Sequence, residues 1–421
     1  MASTSNNIIT LRRHDLDNLK TFLSGLVVVH HTAMSYGGAG NWPFRSQLIL
    51  SGYVSSPLLL FNAFNQSFFM GLFFWVSGRM SAQALNKKNV SLAAFLKTKV
   101  VRLLVPTVVN TLLGPPLTIC LAQGRAKGVF QEYWTQVRGA RGVTWYTATL
   151  LAFDVVAALL HQLLPILGPD KDHARKVSRG IYNALKNYGW VPAAAACFFI
   201  RLEYAVGRGS APLGVQPAYL PQYILAYILG YLSLENGDAR MTGPFEQASP
   251  STRSDKPSTL MSETNTTTEP KPSLPVALTI SALSLPTVFL ASGKSTAWSG
   301  GWNLTAAAYA ICNEFCFVLI GPALMDHFQR HHYKAASSPL WQARYSFAAF
   351  LVHAPLSVAI QAVVDKGLAG NSVVLGIMKN PIGATLGPIV LAGVMGYANT
   401  ISSFALSKGL LETFPWLKRV L

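Results

Sequence analysis

Apolar residues occur along this chain in long blocks separated by short polar stretches. The blocks run for about 17 to 25 residues, which is enough to cross a hydrocarbon core as helices. Irregular backbone is excluded there because lipid offers no hydrogen-bond partners. The pattern therefore predicts an all-α, polytopic transmembrane helix bundle. About ten spans are expected, at approximately residues 19–36, 57–78, 101–122, 143–164, 189–206, 218–235, 274–291, 302–324, 341–363 and 383–407.

One segment, residues 236–273, breaks this pattern because it is rich in Ser, Thr, Pro and charged residues. Such a composition cannot bury a core, so we expect a disordered cytosolic loop. The predicted organisation is a first part of the bundle in residues 1–235 (spans 1–6), the loop, and a second part in residues 274–421 (spans 7–10).

Composition agrees with a membrane location. Of 421 residues, 51% are hydrophobic and 12% charged, whereas soluble domains have about 25% charged residues. The net charge of +17 could suggest nucleic acid as a partner, but the basic stretches contain no interleaved aromatic residues. They flank alternate spans, so the positive-inside rule predicts that both termini are cytosolic. The lipid bilayer is the expected partner. The sequence does not distinguish an endomembrane from the plasma membrane.

All four cysteines lie within apolar blocks, where they act as small hydrophobic residues. They are Cys120, Cys197, Cys312 and Cys316. A disulfide framework is not expected. Cys312 and Cys316 are one helical turn apart but lack His or further Cys partners at ligand spacing, so no metal site is expected either.

The first span places two ionisable residues on one helix face. Lys20 and His31 are separated by about 16 Å along an α-helix and by roughly 20° around it. This suits a phosphate anchor near the cytosol and an imidazole deeper in the membrane. The alternative is a neutral, structural His31, with Lys20 reaching the lipid headgroups. His30 points about 100° away and is a weaker candidate.

Four more polar residues could contribute chemistry. Lys99 and Arg102 are three apart at the start of span 3, where they could clamp a phosphate or serve as ordinary positive-inside anchors. His353 and Glu314 lie within apolar runs of spans 9 and 8. A histidine there is often a satisfied core residue, and a carboxylate must be neutral, paired or facing water.

Seven short motifs occur in order along the chain. They are Asp17-Asn-Leu-Lys20 with His31 ten residues on, FFWVSG, the basic pair Lys99 and Arg102 before Pro106, TWYTATLLAF, PQYILAYILG, Asn313-Glu314-Phe315 and SFAAFLVHAP. From span 1 to the last residues, the chain resembles the acyltransferase 3 family of membrane-bound acyltransferases. The two leading arginines of that family are lysines here, Lys20 and Lys99. Lysine keeps the positive charge but lacks the guanidinium group that can bind a phosphate or carboxylate through two parallel hydrogen bonds.

The resemblance implies transfer of an acyl group, often acetyl, from acyl-CoA to a hydroxyl group. His31 would be a general base or, alternatively, an acyl carrier. Glu314 and His353 would complete the catalytic residues by orienting His31 or the acceptor. The CoA phosphates would be held by Lys20, Lys99 and Arg102.

The acceptor expected from the resemblance is a small lipophilic metabolite of specialised (secondary) metabolism. A sugar or lipid acceptor is the first alternative. A secondary transporter or an acyl-chain translocator without catalysis is the alternative from another class, since multiple spans and an intramembrane histidine would suit it as well.

Overall fold

The structure is a computed structural model that describes residues 12–49, 56–87, 90–163, 171–235, 272–292 and 296–421. Over these ranges the chain is helical and contains no β-strand, so the predicted all-α class is confirmed. The helices are α1 (His14–Ser35), α2 (Ser56–Gln66), α3 (Phe69–Leu85), α4 (Leu92–Lys99), α5 (Val105–Gln123), α6 (Val129–Gln136), α7 (Trp145–Leu163), α8 (Lys171–Tyr188), α9 (Trp190–Arg201), α10 (Leu220–Glu235), α11 (Leu274–Ser292), α12 (Leu304–His331), α13 (Ala343–Ala369), α14 (Ser372–Lys379) and α15 (Pro381–Thr413).

Among the described residues, seven segments are long and apolar enough to cross a membrane. They are Pro57–Leu85, Leu92–Gln123, Gly142–Leu163, Leu274–Ala291, Leu304–His331, Ala343–Ala369 and Pro381–Thr413. The other three expected spans coincide with α1, α9 and α10. Of these, α9 has 12 residues and α10 has 16, while α1 carries Asp15, Asp17 and Lys20 near its start. The total of ten spans stays a prediction.

The third expected span contains a break in its helical register. α4 ends at Lys99, and residues Val100–Leu104 form a π turn that leads into α5. A π turn contains more residues per turn than an α-helix. Lys99 and Arg102 consequently do not share a simple helix face.

Two of the sequence motifs pack directly against each other through glycine. A Cβ atom at Gly78, in FFWVSG, would lie 2.2 Å from the Tyr227 carbonyl oxygen. A Cβ atom at Gly230, in PQYILAYILG, would lie 1.9 Å from the Trp75 carbonyl oxygen. Small residues let transmembrane helices approach this closely. The two glycines therefore fix the contact between α3 and α10.

α8 is an amphipathic helix in a region that sequence reasoning treated as a connecting loop. Its apolar residues Val177, Ile181 and Tyr188 are exposed. Basic residues such as Arg179 and Lys186 lie on the same helix. An amphipathic helix of this composition suits the plane of a membrane surface.

The segment 236–273 was expected to be a disordered loop. Most of it, residues 236–271, lies outside the described residues, so this expectation stays a prediction.

α1 passes through the interior of the bundle and contacts α2, α3, α12, α13 and α15. Residues 1–235 and 274–421 thus contribute helices to the same core, which is lined by Leu19, Leu23 and Val27 of α1. This arrangement brings span 1 and span 9, far apart in sequence, into contact. The two ends of the bundle are called here the His14 end and the Ser35 end, after the two ends of α1.

Candidate active site

His31 and His353 lie side by side where α1 packs against α13. The His31 Nδ1 atom is 2.7 Å from His353 Nε2, and the two rings are nearly coplanar, at an angle of 5°. His353 is fully buried, whereas His31 is partly exposed to a cavity. Sequence reasoning selected both histidines, and the structure brings them together.

Hydrogen bonding determines where the protons lie in this pair. His353 Nδ1 is 2.6 Å from the backbone carbonyl oxygen of Phe350. A carbonyl oxygen only accepts, so Nδ1 of a neutral His353 carries the proton and Nε2 has the lone pair. His353 Nε2 then accepts a hydrogen bond from His31 Nδ1–H, and the lone pair of neutral His31 is on its Nε2. His31 Nε2 is therefore the atom that can accept a proton from another molecule.

A small cavity of about 80 Å³ adjoins His31. Its polar lining groups include His30, Gln66, Gln216 and Tyr223. Gln66 Nε2 donates to the Tyr223 hydroxyl oxygen over 2.8 Å, which leaves the Tyr223 O–H free to donate to a bound molecule. Neither Gln66 nor Tyr223 was singled out from sequence, although Tyr223 lies within the PQYILAYILG motif.

His30 lines the same cavity but has a different environment. Its ring centroid is 4.9 Å from that of Phe69, and its buried Nδ1 has no hydrogen-bond partner among the described residues. His30 thus lacks the hydrogen bond that fixes the tautomer of His31. That His31 is the stronger catalytic candidate stays a prediction.

Trp42 covers the ring of His31. The two ring centroids are 4.6 Å apart at an angle of 12°. The face of an indole attracts a cation and stabilises it by about 0.5–2 kcal/mol. The Trp42 ring face would therefore stabilise a protonated His31. No sequence pattern marked this tryptophan, because it lies in a loop between two helices.

The loop that carries Trp42 is attached to α13 through Asp365. The Asp365 carboxylate accepts hydrogen bonds from the Ser46 hydroxyl and from the Gln47 backbone N–H, the latter over 2.9 Å. Ser46 N–H also donates to the Ser35 carbonyl oxygen at 3.0 Å. Asp365 and Ser46 are buried, so these bonds hold the loop over the Ser35 end of α1.

Lys20 lies on the same continuous helix as His31, at the His14 end. Its Nζ atom forms an ion pair with Asp17 Oδ1 at 2.9 Å and is 3.8 Å from Met80 Sδ. Burial acts to raise the pKa of Asp17, but the adjacent positive charges of Lys20 and Arg12 lower it overall. Asp17 therefore stays ionised and neutralises part of the charge on Lys20.

Lys99 and Arg102 have different surroundings. Lys99 Nζ forms an ion pair with the fully buried Asp154 at 2.8 Å and donates to Ser81 Oγ at 2.8 Å. Arg102 is exposed and forms no hydrogen bond or ion pair with the rest of the described chain. Arg102 is thus available to an external anion, whereas Lys99 already compensates a buried carboxylate.

Glu314 lies apart from the histidine pair. Its Oε1 atom accepts hydrogen bonds from Asn313 Nδ2 at 3.0 Å, Gln222 Nε2 at 3.4 Å and Cys197 Sγ at 3.5 Å. Oε2 is buried and has no partner among the described residues. The structure therefore brings His353, but not Glu314, into contact with His31.

The fold and the site define this protein as a helical membrane protein with a pair of contacting histidines. Comparison with known families identifies it more closely. The sequence model of the acyltransferase 3 family, described as an acyltransferase domain, matches residues 13–407. The chain therefore belongs to that family and is a membrane acyltransferase. No curated protein and no solved structure gives a significant match. The matched range includes His31, His353 and all three candidate cations.

Proposed function

We propose that this protein transfers an acetyl group from acetyl-CoA to a hydroxyl group of a small lipophilic metabolite. The observation that carries the proposal is the hydrogen-bond chain from His31 through His353 to the Phe350 carbonyl oxygen. This chain leaves His31 Nε2 unprotonated beside a cavity. A general base for a hydroxyl nucleophile requires such an atom.

In the proposed reaction, His31 Nε2 accepts the proton of the acceptor hydroxyl as its oxygen attacks the thioester carbonyl carbon. The C–S bond then breaks, and the leaving CoA sulfur takes the proton from His31 as a thiol. The Tyr223 O–H can donate to the carbonyl oxygen while negative charge develops there. His353 and the face of Trp42 stabilise the intermediate imidazolium.

The size of the cavity supports a short acyl group. Its volume of about 80 Å³ is far below the roughly 300–1,000 Å³ of pockets that enclose whole small-molecule ligands. It suits the reacting ends of two substrates more than a complete acceptor or a long acyl chain. Acetyl is accordingly the proposed group.

The positions of the cations support entry of CoA from the His14 end. Lys20 and Lys99 contact the adjacent residues Met80 and Ser81 of α3, and Arg102 is exposed. Lys20 and His31 lie on one helix face about 16 Å apart, a separation that the pantetheine arm of CoA can bridge. Lys20 and Arg102 are the proposed phosphate contacts, with Lys99 in a supporting position.

A direct test is incubation of membranes that contain the protein with radiolabelled acetyl-CoA and a panel of hydroxylated metabolites, sugars and lipids, followed by mass spectrometry of the products. Membranes with the His31→Ala variant at equal abundance are the control. The proposal predicts an O-acetylated product from a lipophilic metabolite in the wild type and its loss in the variant. No label transfer, or equal transfer by the variant, contradicts it.

A further inference from the structure

A large groove runs along the side of α1 that faces away from His31. Its volume is about 830 Å³, which falls within the roughly 300–1,000 Å³ of pockets that enclose a ligand. Val29 lines the groove and is about 200° from His31 around the helix. A molecule bound in the groove therefore lies on another side of α1 from the histidine pair.

Two helices and a loop form the walls of this groove. The end of α12 and the loop after it close the groove at the His14 end of the bundle, and α15 forms one side with Gly393, Tyr397 and Thr400. The lining residues of α1 recur at helical spacing and are Asn18, Thr21, Phe22, Gly25, Leu26 and Val29.

The groove opens sideways, toward the region that lipid occupies around the bundle. Phe22 and Tyr397 line it and are 43% and 67% exposed. α15 is one of the segments that can cross a membrane, and exposed apolar side chains of such a helix face acyl chains. A Cβ atom at Gly393 would have no atom within 4 Å, so the wall leaves space there.

The length of the groove matches one leaflet of a bilayer. Asn18 and Val29, at its two ends along α1, are separated by about 16 Å along the helix axis. Half of a hydrocarbon core of roughly 30 Å is about 15 Å. An acyl chain that starts at the His14 end can therefore lie along the whole groove.

The polar end of the groove is held in a fixed position. Asn18 Nδ2 donates to the backbone carbonyl oxygens of His332 and Lys334, over 2.7 and 2.8 Å. Ser338 Oγ accepts from the backbone N–H groups of Leu340 and Trp341, both over 3.3 Å. These bonds attach the loop to α1 and to the start of the next helix, so its side chains stay at the mouth of the groove.

The charge of this end favours an anion. Lys334 is exposed, and its Nζ atom is 5.6 Å from the Tyr333 ring centroid. It forms no ion pair within the described chain. His331 and His332 are also exposed and offer N–H donors, while the described lining contains no Asp or Glu. A phosphate is the group that such donors bind well.

We propose that this groove binds one anionic phospholipid from the leaflet at the His14 end. Its phosphate contacts Lys334, and one acyl chain lies between α1 and α15 along Phe22, Leu26 and Tyr397. This inference goes beyond the proposed function, because no step of acyl transfer depends on it. The site is also separate from Lys20, which lies about 200° from Asn18 around α1.

Native mass spectrometry of the full chain, purified in detergent and freed of lipid, measures this binding directly. The probes are dioleoylphosphatidylglycerol, dioleoylphosphatidylcholine and glycerophosphate. The two lipids share their acyl chains and differ in net charge, whereas glycerophosphate has the phosphate without the chains. The Kd of each probe follows from the fraction of protein that carries one copy of it.

Two variants alter the two ends of the groove. Lys334→Gln removes the cation, and Gly393→Leu fills space between α1 and α15. The matched controls are Lys97→Gln, an exposed lysine of α4 at the same end of the bundle, and Gly409→Leu on α15. A Cβ atom at Gly409 also has no atom within 4 Å, but this glycine does not line the groove.

The proposal predicts that the wild type and both controls bind phosphatidylglycerol about tenfold or more tightly than phosphatidylcholine, the size of a charge-assisted hydrogen bond. Lys334→Gln should lose most of this difference, and Gly393→Leu should bind both lipids more weakly. Glycerophosphate should bind far more weakly than phosphatidylglycerol, because it buries no acyl chain. Lys334 is exposed, so Lys334→Gln keeps the test valid if Gly393→Leu does not fold.

Equal Kd values for the two lipids in the wild type, including no binding of either, overturn the proposal. An unchanged Kd for phosphatidylglycerol in Lys334→Gln, or an equal loss in Lys97→Gln, also overturns it. Glycerophosphate that binds as tightly as phosphatidylglycerol would indicate a site for free anions instead. A dimer that is lost in Gly393→Leu would assign the groove to a second copy of the chain.

Discussion

His31 donates a hydrogen bond to His353, and the Phe350 carbonyl oxygen determines the direction of that bond. The two nitrogen atoms, Nδ1 and Nε2, are 2.7 Å apart. Reversal would require a proton on His353 Nε2 and a lone pair on Nδ1 facing the carbonyl oxygen, an unfavourable arrangement. In the proposed mechanism, His353 is therefore a positioning residue that selects the reactive tautomer of His31.

The first prediction concerns His353. His353→Ala should lower kcat by roughly tenfold to a thousandfold, because His31 loses its tautomer control and the partner that stabilises its imidazolium form. His353→Gln offers an amide oxygen that can accept from His31 Nδ1–H, so it should recover part of the activity. Steady-state kinetics on the two variants measure this effect. Equal, wild-type kcat in both would show that His353 does not orient His31.

The second prediction concerns Trp42. Removing the indole in Trp42→Ala should lower kcat by about 2- to 30-fold, which corresponds to a cation–π contribution of about 0.5–2 kcal/mol. Trp42→Phe keeps an aromatic face and should lose less. Both variants should be compared at saturating acyl-CoA, so that kcat is separated from KM. A loss confined to KM would assign Trp42 to substrate binding instead.

The third prediction separates the two basic residues near the π turn. Arg102→Ala should raise the KM for acyl-CoA more than the KM for the acceptor, because Arg102 is exposed and free to bind phosphate. Lys99→Ala should instead lower Tm, since it leaves the buried Asp154 without its ion-pair partner. Lys99→Arg retains the charge and should stay close to the wild type.

Kinetics with both substrates varied, together with thermal unfolding in nanodiscs, test this separation. Lys99→Met is a useful control because it keeps the length of the side chain. An Arg102→Ala variant with an altered KM for the acceptor alone would contradict a role in CoA binding. A Lys99→Ala variant with unchanged Tm would contradict the structural role of the Lys99–Asp154 pair.

Much of the fold follows from the sequence, and the reasons are physical. Apolar blocks of membrane-crossing length have few alternatives to a helix, so the expected spans coincide with helices. The π turn at Val100–Leu104 was not expected, since local backbone register depends on packing and not on hydrophobic pattern alone. α8 was also missed, because its polar composition resembles that of a loop unless its apolar residues are read at helical spacing.

The candidate site was predictable in part. His31 and His353 stand out because ionisable residues are rare in apolar spans. Their mutual contact, however, joins residues 322 positions apart and could not be derived from spacing. Trp42 lies in a loop, and Arg201 is the last residue of α9. Their residue types are common at such positions. Only the tertiary structure shows that Trp42 covers His31 and that Arg201 is buried without a hydrogen-bond partner among the described residues.

The central claim is that His31 Nε2 is the general base, and kinetics of the His31→Ala variant test it most directly. Loss of a general base should reduce kcat/KM by roughly two to four orders of magnitude, with expression and membrane insertion unchanged because span 1 becomes more apolar. His30→Ala is the matched control, since it removes the neighbouring imidazole from the same cavity, and its effect should be much smaller.

The same measurement should be repeated across pH. In the wild type, kcat/KM should fall as the pH is lowered, because a protonated imidazole cannot accept the hydroxyl proton. Any residual activity of His31→Ala should lack that dependence. A well-folded His31→Ala variant with wild-type kcat/KM and the same pH profile would contradict the account.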